Sequence, residues 1–265
     1  MRGSCHCGAV RFEVDGPIRD ALACHCTQCR KVSGHFWAAS SVPVARWRVT
    51  EGRGLRWYRS SPVAQRGFCG DCGATLFWLP EADAVFDWGT PAEHEISFSP
   101  GALEGPLSIK VAKHIYAGDA GDYYAPEGPP PEAGPAPEQL AASCLCGECR
   151  FTLPGPAGEI TACHCHQCRS LSGHYSASFD VDETAVEWQA RDGLAEYGTA
   201  GGGVRGFCKA CGSSLWFRAA DGAFSVEAGA VDGPTGGRLA AHIFVVDKGG
   251  HYDITDGLPQ FPGWG

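Results

Sequence analysis

The chain contains one sequence twice, and this duplication constrains its fold more than any other feature. Aligned at a constant offset of 139 positions, residues 5–78 match residues 144–217 without a gap, and 29 of the 74 pairs are identical. After residue 78 the offset falls to 128, so that "GALEGP" from Gly101 meets "GAVDGP" from Gly229. We therefore predict two domains that share one fold.

A proline-rich stretch separates the two copies. The segment "APEGPPPEAGPAPEQ" has six prolines in fifteen residues, which predicts an extended, semi-rigid linker. We place the first domain at residues 1–124, the linker at 125–139 and the second domain at 140–265. The first copy also carries eleven extra residues within "LPEADAVFDWGTPAEHEISFSPG", which we interpret as the lengthened tip of a hairpin.

Short β-type runs dominate each copy. In the first they are "AVRFEV", "FWAASSV", "GLRWYRS", "ATLFW", "AVFDW", "EISF" and "LSIKVAKHIYA", separated by Gly, Pro and Asp clusters. No segment shows sustained helical periodicity. We predict a mainly β protein of two small, mostly antiparallel domains arranged as a pseudo-twofold pair within one chain, with a short helical turn near "TQCRKVSG".

Charge and composition exclude several classes of protein. The net charge of -9 provides no basic field for phosphates, so nucleic acid is not expected as a partner. No apolar run approaches membrane-spanning length, and "MRGSCHCGAV" lacks the apolar segment of a signal peptide. We expect a cytoplasmic protein whose fifteen cysteines stay reduced, and the CxC and CxxC spacings then indicate metal binding.

Each copy offers three cysteine clusters, in the order CxC, CxCxxC and CxxC. Structural zinc sites have four protein ligands, whereas catalytic zinc keeps three and one open position. Seven thiols therefore divide as four plus three, with CxC and CxxC forming the closed site and CxCxxC the open one. The predicted closed sites are Cys5, Cys7, Cys69 and Cys72, and Cys144, Cys146, Cys208 and Cys211. The predicted open sites are Cys24, Cys26 and Cys29, and Cys163, Cys165 and Cys168.

Two residues of the second copy complicate this division. Cys149 completes a CxCxxC spacing in "CLCGEC", but it aligns with Val10 in a predicted strand, so we interpret it as a small buried hydrophobic residue. His166 stands where the first copy has Thr27, either as an exposed loop residue or as a fourth ligand or proton shuttle. A thioredoxin-like redox site is disfavoured because "FCGDCG" lies in a β-rich region, and a zinc ribbon is disfavoured by the CxC spacing.

The motifs "GSCHCGAVRFEV", "CHCTQCRKVSG", "RGFCGDCGATLFW", "GALEGP" and "KHIY" together resemble the glutathione-dependent formaldehyde-activating enzyme family, also called the centromere protein V family. The resemblance spans nearly the whole of each copy. It implies a β-tent zinc fold with the same division into structural and catalytic zinc. It also implies an activity that joins formaldehyde and glutathione into S-(hydroxymethyl)glutathione. The first copy departs from the family by having "DAGDYYAPEG" in place of the usual C-terminal aromatic ending.

These observations lead to a hypothesis of a zinc-dependent carbon–sulfur lyase. A glutathione-like thiol would occupy the open zinc position as a thiolate and attack the carbonyl of a small aldehyde. Four arginines adjoin the clusters, and their side chains either bind substrate carboxylates or have structural roles: Arg30, Arg66, Arg169 and Arg205.

Six histidines recur at matching positions of the two copies, and two of them, His25 and His164, stand between cysteines of the central clusters. His35 and His174 are candidates for proton transfer, with packing in the core as the alternative. His114 and His242 recur in a C-terminal strand, where either a contact near the zinc or a place in the core fits the sequence.

Two other functions remain open at this point. One is an enzyme of the same fold that acts on another small carbonyl, imine or thiol metabolite. The other is a non-catalytic interaction module stabilised by zinc, for which the acidic surface would be the binding feature. The intact CxCxxC in both copies favours an enzyme, because a scaffold could lose that cluster from one copy.

The division of the thiols predicts four zinc ions per chain. Elemental analysis of the purified protein should find four, because two closed and two open sites are expected. A content of two zinc ions would contradict the existence of the open sites.

Overall fold

A computed structural model describes residues 1–85 and 93–264 of the chain. Within those ranges the protein is mainly β, as predicted, and each copy contains two sheets. Of the predicted strand "AVFDW", the residues 86–88 lie outside the described ranges.

The first copy is built from a small and a large sheet. Its strands are β1 (Arg2–Ser4), β2 (Arg11–Val14), β3 (Ala21–Cys24), β4 (Trp37–Pro43), β5 (Trp47–Glu51), β6 (Leu55–Ser61), β7 (Ala64–Cys69), β8 (Thr75–Pro80), β9 (Glu95–Phe98) and β10 (Val111–Ile115). The small sheet has the order β1-β2-β5, and the large one has the order β10-β3-β4-β9-β8-β7-β6.

The second copy repeats this arrangement. Its strands are β11 (Gln139–Ser143), β12 (Cys149–Pro154), β13 (Glu159–Cys163), β14 (Ser176–Asp180), β15 (Glu187–Arg191), β16 (Leu194–Gly198), β17 (Val204–Cys208), β18 (Ser214–Arg218), β19 (Phe224–Glu227), β20 (Val231–Asp232) and β21 (Arg238–Ile243). The small sheet has the order β15-β12-β11-β20, and the large one has the order β16-β17-β18-β19-β14-β13-β21.

One short α-helix lies at the same place in each copy: α1 (Thr27–Ser33) and α2 (His166–Ser172). Each ends after seven residues because the next residue, Gly34 or Gly173, adopts a left-handed conformation with φ near +85°, which stops the helix. Short 3₁₀ turns occur at Val44–Arg46, Pro100–Ala102, Ala117–Asp119, Glu183–Ala185, Ala228–Ala230 and Val245–Asp247. No helix within the described residues is both long and apolar enough to cross a membrane.

The large sheets are mixed at one edge, which the strand pattern did not predict. Strand β10 pairs in parallel with β3, and β21 pairs in parallel with β13, whereas the other ladders are antiparallel. The parallel ladder places Ile115 beside Cys24, and the N–H of His25 donates to the carbonyl of Ile115 at 3.0 Å. A C-terminal strand is thereby fixed next to the central cysteine cluster.

The two copies are joined by reciprocal hydrogen bonds. The N–H of Gly101 donates to Gly173 O at 2.9 Å, and the N–H of Gly229 donates to Gly34 O at 2.8 Å. Because Gly101 matches Gly229 and Gly34 matches Gly173 in the internal repeat, each copy presents the same surface to the other. This reciprocity is that of a pseudo-twofold pair.

Buried polar groups strengthen the contact between the copies. Lys31 of α1 is 7% exposed, and its ammonium donates to Ser143 O at 2.8 Å and to Asp232 Oδ1 at 2.6 Å. The carboxylate of Asp122 accepts from the N–H groups of Thr235 and Gly236 at 2.9 Å each. Each copy therefore satisfies polar groups that the other has buried.

The glycine contacts predict that the interface does not tolerate a side chain. A Cβ on Gly229 would lie 2.4 Å from Arg30 O, so Gly229→Ala should reduce the free energy of unfolding by about 2 kcal/mol, as overpacking does. Gly134→Ala is the control, because a Cβ there meets nothing within 4 Å. Equal melting temperatures for the two variants would contradict this interface.

Candidate metal centres

Two distant turns of the first copy bring four sulfurs together. Cys5 and Cys7 follow β1, whereas Cys69 ends β7 and Cys72 lies in the turn after it. Their four Sγ atoms lie within 4.8 Å of one another, with Cys5 to Cys7 at 3.6 Å and Cys7 to Cys69 at 3.7 Å. Tetrahedral zinc with Zn–S bonds of about 2.3 Å separates its ligands by about 3.8 Å. The donor set and its spacing therefore fit zinc.

The second copy forms the same group from Cys144, Cys146, Cys208 and Cys211. The Sγ distances are 3.5 Å from Cys144 to Cys146 and 3.7 Å from Cys146 to Cys208. Both four-thiol groups, like the three-thiol groups described next, are those that the sequence predicts.

Cys149 is fully buried at the start of β12 and is not a member of the four-thiol group. Its backbone N–H donates to Cys144 Sγ at 3.2 Å, and the N–H of Val10 donates to Cys5 Sγ at the same distance. Val10 and Cys149 therefore make the same backbone hydrogen bond to a cluster sulfur, and this bond does not involve the thiol of Cys149.

The central cluster of each copy is formed where a strand leads into a helix. Cys24 ends β3, Cys26 immediately precedes α1 and Cys29 lies in its first turn, and the three Sγ atoms lie within 4.8 Å of one another. Cys163, Cys165 and Cys168 form the matching group. Because side chains alternate along extended backbone, the two thiols of each CxC point to one side and the histidine between them points to the other.

The thiols of a central cluster do not ionise independently. Hydrogen bonds from Cys24 and Cys29 lower the pKa of Cys26 to about 2, and the corresponding bonds in the second copy lower the pKa of Cys165 to about 2. The same bonds raise the pKa of Cys24 and of Cys163. A zinc ion must therefore displace protons from the thiols of the cluster that are not ionised. Metal binding should weaken as the pH falls.

An arginine of the strand before each CxxC donates to the third thiol of the central cluster. Arg66 Nη2 lies 3.4 Å from Cys29 Sγ, and Arg205 Nη2 lies 2.9 Å from Cys168 Sγ. Arg66 is 5% exposed and Arg205 is 8% exposed. Such hydrogen bonds stabilise the thiolate form of the third ligand.

The surroundings of these two arginines differ between the copies. In the first copy Trp37 packs beside Arg66 and donates from Nε1 to Ser99 Oγ at 2.8 Å. In the second copy the matching positions are Ser176 and Glu227, and the serine hydroxyl donates to Glu227 Oε2 at 2.6 Å.

Glu227 is a buried carboxyl group that the sequence reasoning missed. Its Oε1 lies 3.4 Å from Arg205 Nη1, and the group is 2% exposed. Burial raises the pKa of Glu227, and the Arg205 guanidinium opposes that shift. The alignment at offset 128 could have found it, because it places an acidic residue opposite Ser99.

The other predicted arginines, Arg30 and Arg169, follow the third thiol within α1 and α2. Both are half-buried, and the Nε of each is buried without a hydrogen-bond partner among the residues that the structure describes. Substrate binding by these two arginines stays a prediction.

The histidines between the thiols belong to chains of buried rings. His25 is hydrogen-bonded through Nδ1 to Tyr124 Oη at 2.7 Å and through Nε2 to His114 Nδ1 at 2.8 Å. Burial lowers the pKa of His25 to about 4, so its imidazole is neutral near pH 7.

The second copy has the corresponding chain, extended by a carboxylate. His164 contacts Tyr252 Oη at 2.6 Å and His242 Nδ1 at 2.9 Å, and His242 Nε2 contacts Asp256 Oδ2 at 2.8 Å. Tyr124 and Tyr252 therefore occupy equivalent places. The expectation that the first copy lacks the C-terminal aromatic ending is wrong in this respect, because "DYY" supplies the ring that "GHY" supplies in the second copy.

His35 and His174 lie in the aromatic layer between the two copies. His35 Nδ1 is hydrogen-bonded to Tyr123 Oη at 2.7 Å, and His174 Nδ1 to His251 Nε2 at 3.0 Å. Burial lowers the pKa of both well below the usual value, so both are neutral. Their predicted part in proton transfer remains a prediction. His166 is exposed at the start of α2, with its ring centroid 6.3 Å from that of His6.

A cavity of about 490 Å³ opens between the copies beside these rings. Its wall includes His114 from the first copy, Glu127 from the linker, and Tyr175, His242 and Asp256 from the second copy. Three of the predicted histidines, His114, His174 and His242, thus line one cavity although they come from both copies.

Comparison with known proteins gives two matches to one family. The family model described as glutathione-dependent formaldehyde-activating enzyme matches residues 1–119 and 139–247. A Phaeosphaeria nodorum protein named "Putative glutathione-dependent formaldehyde-activating enzyme" is 33% identical over 118 residues, 43% of this chain and 62% of that protein. A Schizosaccharomyces pombe protein named as an uncharacterized lyase is 34% identical over 77 residues, 29% of this chain and 55% of that protein.

The chain thus spans less than two thirds of the length of either relative. Among solved structures, the chain matches a crystal structure of a Rhodobacter sphaeroides protein with 26% identity and a TM-score of 0.34. The match covers 43% of this chain and 100% of the Rhodobacter sphaeroides chain.

The geometry of the closed sites predicts different effects for two cysteine substitutions. Cys72→Ala should lose a zinc ion and unfold the first copy, because a structural zinc contributes roughly 10 kcal/mol to folding. Cys149→Val, which installs the residue of the first copy, should keep the zinc content of the unsubstituted protein. Zinc analysis and near-ultraviolet circular dichroism measure both effects. Loss of zinc from Cys149→Val would make Cys149 a ligand.

Proposed function

Since the chain belongs to the glutathione-dependent formaldehyde-activating enzyme family, with one domain in each half, we propose that it is a zinc-dependent carbon–sulfur lyase acting on thiol–aldehyde adducts. The observation that supports this proposal is the three-thiol cluster that each copy keeps beside its four-thiol group. A protein that needed metal only for stability would have no use for a group with fewer than four ligands.

The proposed reaction is the addition of a thiol such as glutathione to formaldehyde, and its reversal. A carbon–sulfur bond forms while the thiol proton passes to the carbonyl oxygen, so no oxidant or reductant is needed. Zinc held by Cys24, Cys26 and Cys29 would supply an open position that keeps a substrate sulfur in its thiolate form. The matching cluster of the second copy would do the same.

The residues around the cluster prepare it for an anionic ligand. Three thiolates and a divalent ion carry one negative charge, which disfavours the approach of another thiolate. The guanidinium of Arg66 opposes this charge through its contact with Cys29 Sγ at 3.4 Å. Burial strengthens this interaction, because the surroundings screen charges less than water does.

Proton movement would use the buried, neutral imidazoles that lie between the two copies. His35 and His174 are proposed as proton acceptors, since burial keeps both rings unprotonated near pH 7. The Nδ1 atom of His35 is hydrogen-bonded to Tyr123, and the Nδ1 atom of His174 is hydrogen-bonded to His251. In His35 the other nitrogen, Nε2, is buried without a hydrogen-bond partner within the described part of the chain.

The activity is tested by exchange NMR between formaldehyde, glutathione and their adduct. The protein should accelerate the exchange, and the double variant Cys26→Ala, Cys165→Ala should lose this acceleration at least a hundredfold, because each cluster then lacks its central sulfur. Cys149→Val is the matched control, since it changes a cysteine outside both kinds of group.

Two outcomes would contradict the proposal. Exchange no faster with the protein than without it would exclude this activity and would favour another carbonyl, imine or thiol substrate or a binding role. Undiminished exchange in a double variant that still folds would place the reaction elsewhere.

A further inference from the structure

The two central clusters have diverged at two positions that contact each other. Residue 37 bonds to residue 99 in the first copy, as Trp37 Nε1 to Ser99 Oγ, at 2.8 Å. The matching residues of the second copy also bond to each other, as Ser176 Oγ to Glu227 Oε2, at 2.6 Å. A large ring with a small partner has thus been exchanged for a small hydroxyl with a carboxylate. Both residues of the pair differ between the copies, yet the two residues are hydrogen-bonded to each other in each copy.

In the first copy, Arg66 has no carboxylate partner within the part of the chain that the structure describes. Arg66 donates through Nη2 to Cys29 Sγ and to Gln28 Oε1, both at 3.4 Å, and its guanidinium carbon lies 5.8 Å from the centre of the Trp37 ring. Its Nε and Nη1 are buried with no hydrogen-bond partner among the described residues. Two donors of a cation that is 5% exposed are therefore still to be satisfied.

In the second copy the carboxylate of Glu227 forms an ion pair with the corresponding arginine, Arg205. Arg205 donates through Nη2 to Cys168 Sγ at 2.9 Å and through Nη1 to Glu227 Oε1 at 3.4 Å. Glu227 is held in place by Ser176 at 2.6 Å and by Ser214 at 3.4 Å. This ion pair is buried on both sides, with side-chain exposures of 9% and 2%.

The formal charges of the two sites therefore differ by one. Three thiolates and a divalent ion carry one negative charge in each copy. Arg66 neutralises it in the first copy, whereas the Arg205–Glu227 pair contributes nothing to the sum in the second. In a buried site, one unit charge at a separation of several ångströms changes the affinity for an anion about tenfold or more.

We propose that the two clusters select thiols by charge: the first binds thiols that carry a carboxylate, and the second discriminates against them through Glu227. This inference rests on the proposed function for the statement that a thiol binds at each cluster. It adds that glutathione-like, anionic thiols belong to the first copy, and that the second copy takes neutral thiols or neutral adducts. Glu227 is then a specificity-determining residue, and the unpartnered donors of Arg66 face the carboxylate of the ligand.

The test measures binding rather than turnover. The intact chain, with cobalt(II) in place of zinc, is titrated with mercaptoacetate, which is anionic, and with 2-mercaptoethanol, which is neutral, and the thiolate-to-cobalt absorption is followed. Mercaptoacetate should bind in two phases whose dissociation constants differ at least tenfold, whereas 2-mercaptoethanol should bind in phases less than threefold apart. Cys26→Ala should remove the tight mercaptoacetate phase, which assigns it to the first copy.

Glu227→Gln should strengthen the weak mercaptoacetate phase about tenfold and leave 2-mercaptoethanol unchanged. Glu183→Gln, which makes the same change in an exposed ion pair with Arg218, is the control and should alter neither. Arg66→Gln provides an independent variant, and it should weaken the tight phase about tenfold.

A single mercaptoacetate phase in the unsubstituted protein, no effect of Glu227→Gln, or no binding of either thiol would each overturn the inference. Two phases without any exchange of glutathione and formaldehyde would support the inference and contradict the proposed activity. Exchange of glutathione and formaldehyde together with a single mercaptoacetate phase would support the proposed activity and contradict the inference.

Discussion

Convergence of four sulfurs from two turns is the interaction on which each copy depends. The turn after β1 and the turn after β7 are 62 residues apart, as measured from Cys7 to Cys69, yet these two sulfurs lie 3.7 Å apart. A metal ion there would tie the small sheet to the large one. The segment from β3 into α1 carries three further thiols, which take no part in this link between the two sheets. The two groups of each copy thus differ in the number of thiols that could hold a metal ion, four in one and three in the other.

The C-terminal segment of each copy supplies the surroundings of the CxC histidine in its own central cluster. The parallel edge strand β10 or β21 brings a C-terminal histidine beside the histidine of the CxC. A tyrosine that follows this strand then holds the same ring from the other side, Tyr124 in the first copy and Tyr252 in the second. The backbones of these segments also bond across the interface, as Leu239 N–H does to Tyr123 O at 2.8 Å. The cavity beside these segments is lined by residues of both copies.

Duplication has preserved the metal-binding framework while changing the electrostatics around it. The same backbone places Arg66 and Arg205 against the third thiol of their clusters. A residue two strands away then decides whether that arginine has a carboxylate partner: Ser99, just after β9, does not supply one, whereas Glu227, the last residue of β19, does. Two sites of one origin thus differ in the residues around the third thiol, while each keeps the same three cysteines. A buried charge acts strongly at short range, so a single exchange is sufficient.

The sequence by itself determined the duplication, the mainly β class, the short helix after the central cluster, and the grouping of thiols into four and three. These properties are local or repeat at a fixed offset, so spacing and self-alignment suffice to predict them. Only the tertiary structure decided the parallel edge pairing, the contact of the copies and the partners of the buried rings. Glu227 shows why: it lies 22 residues from Arg205 in sequence, and only the folding of β19 against its neighbours places the carboxylate beside the guanidinium. Long-range contacts of this kind depend on strand order, which side-chain periodicity does not specify.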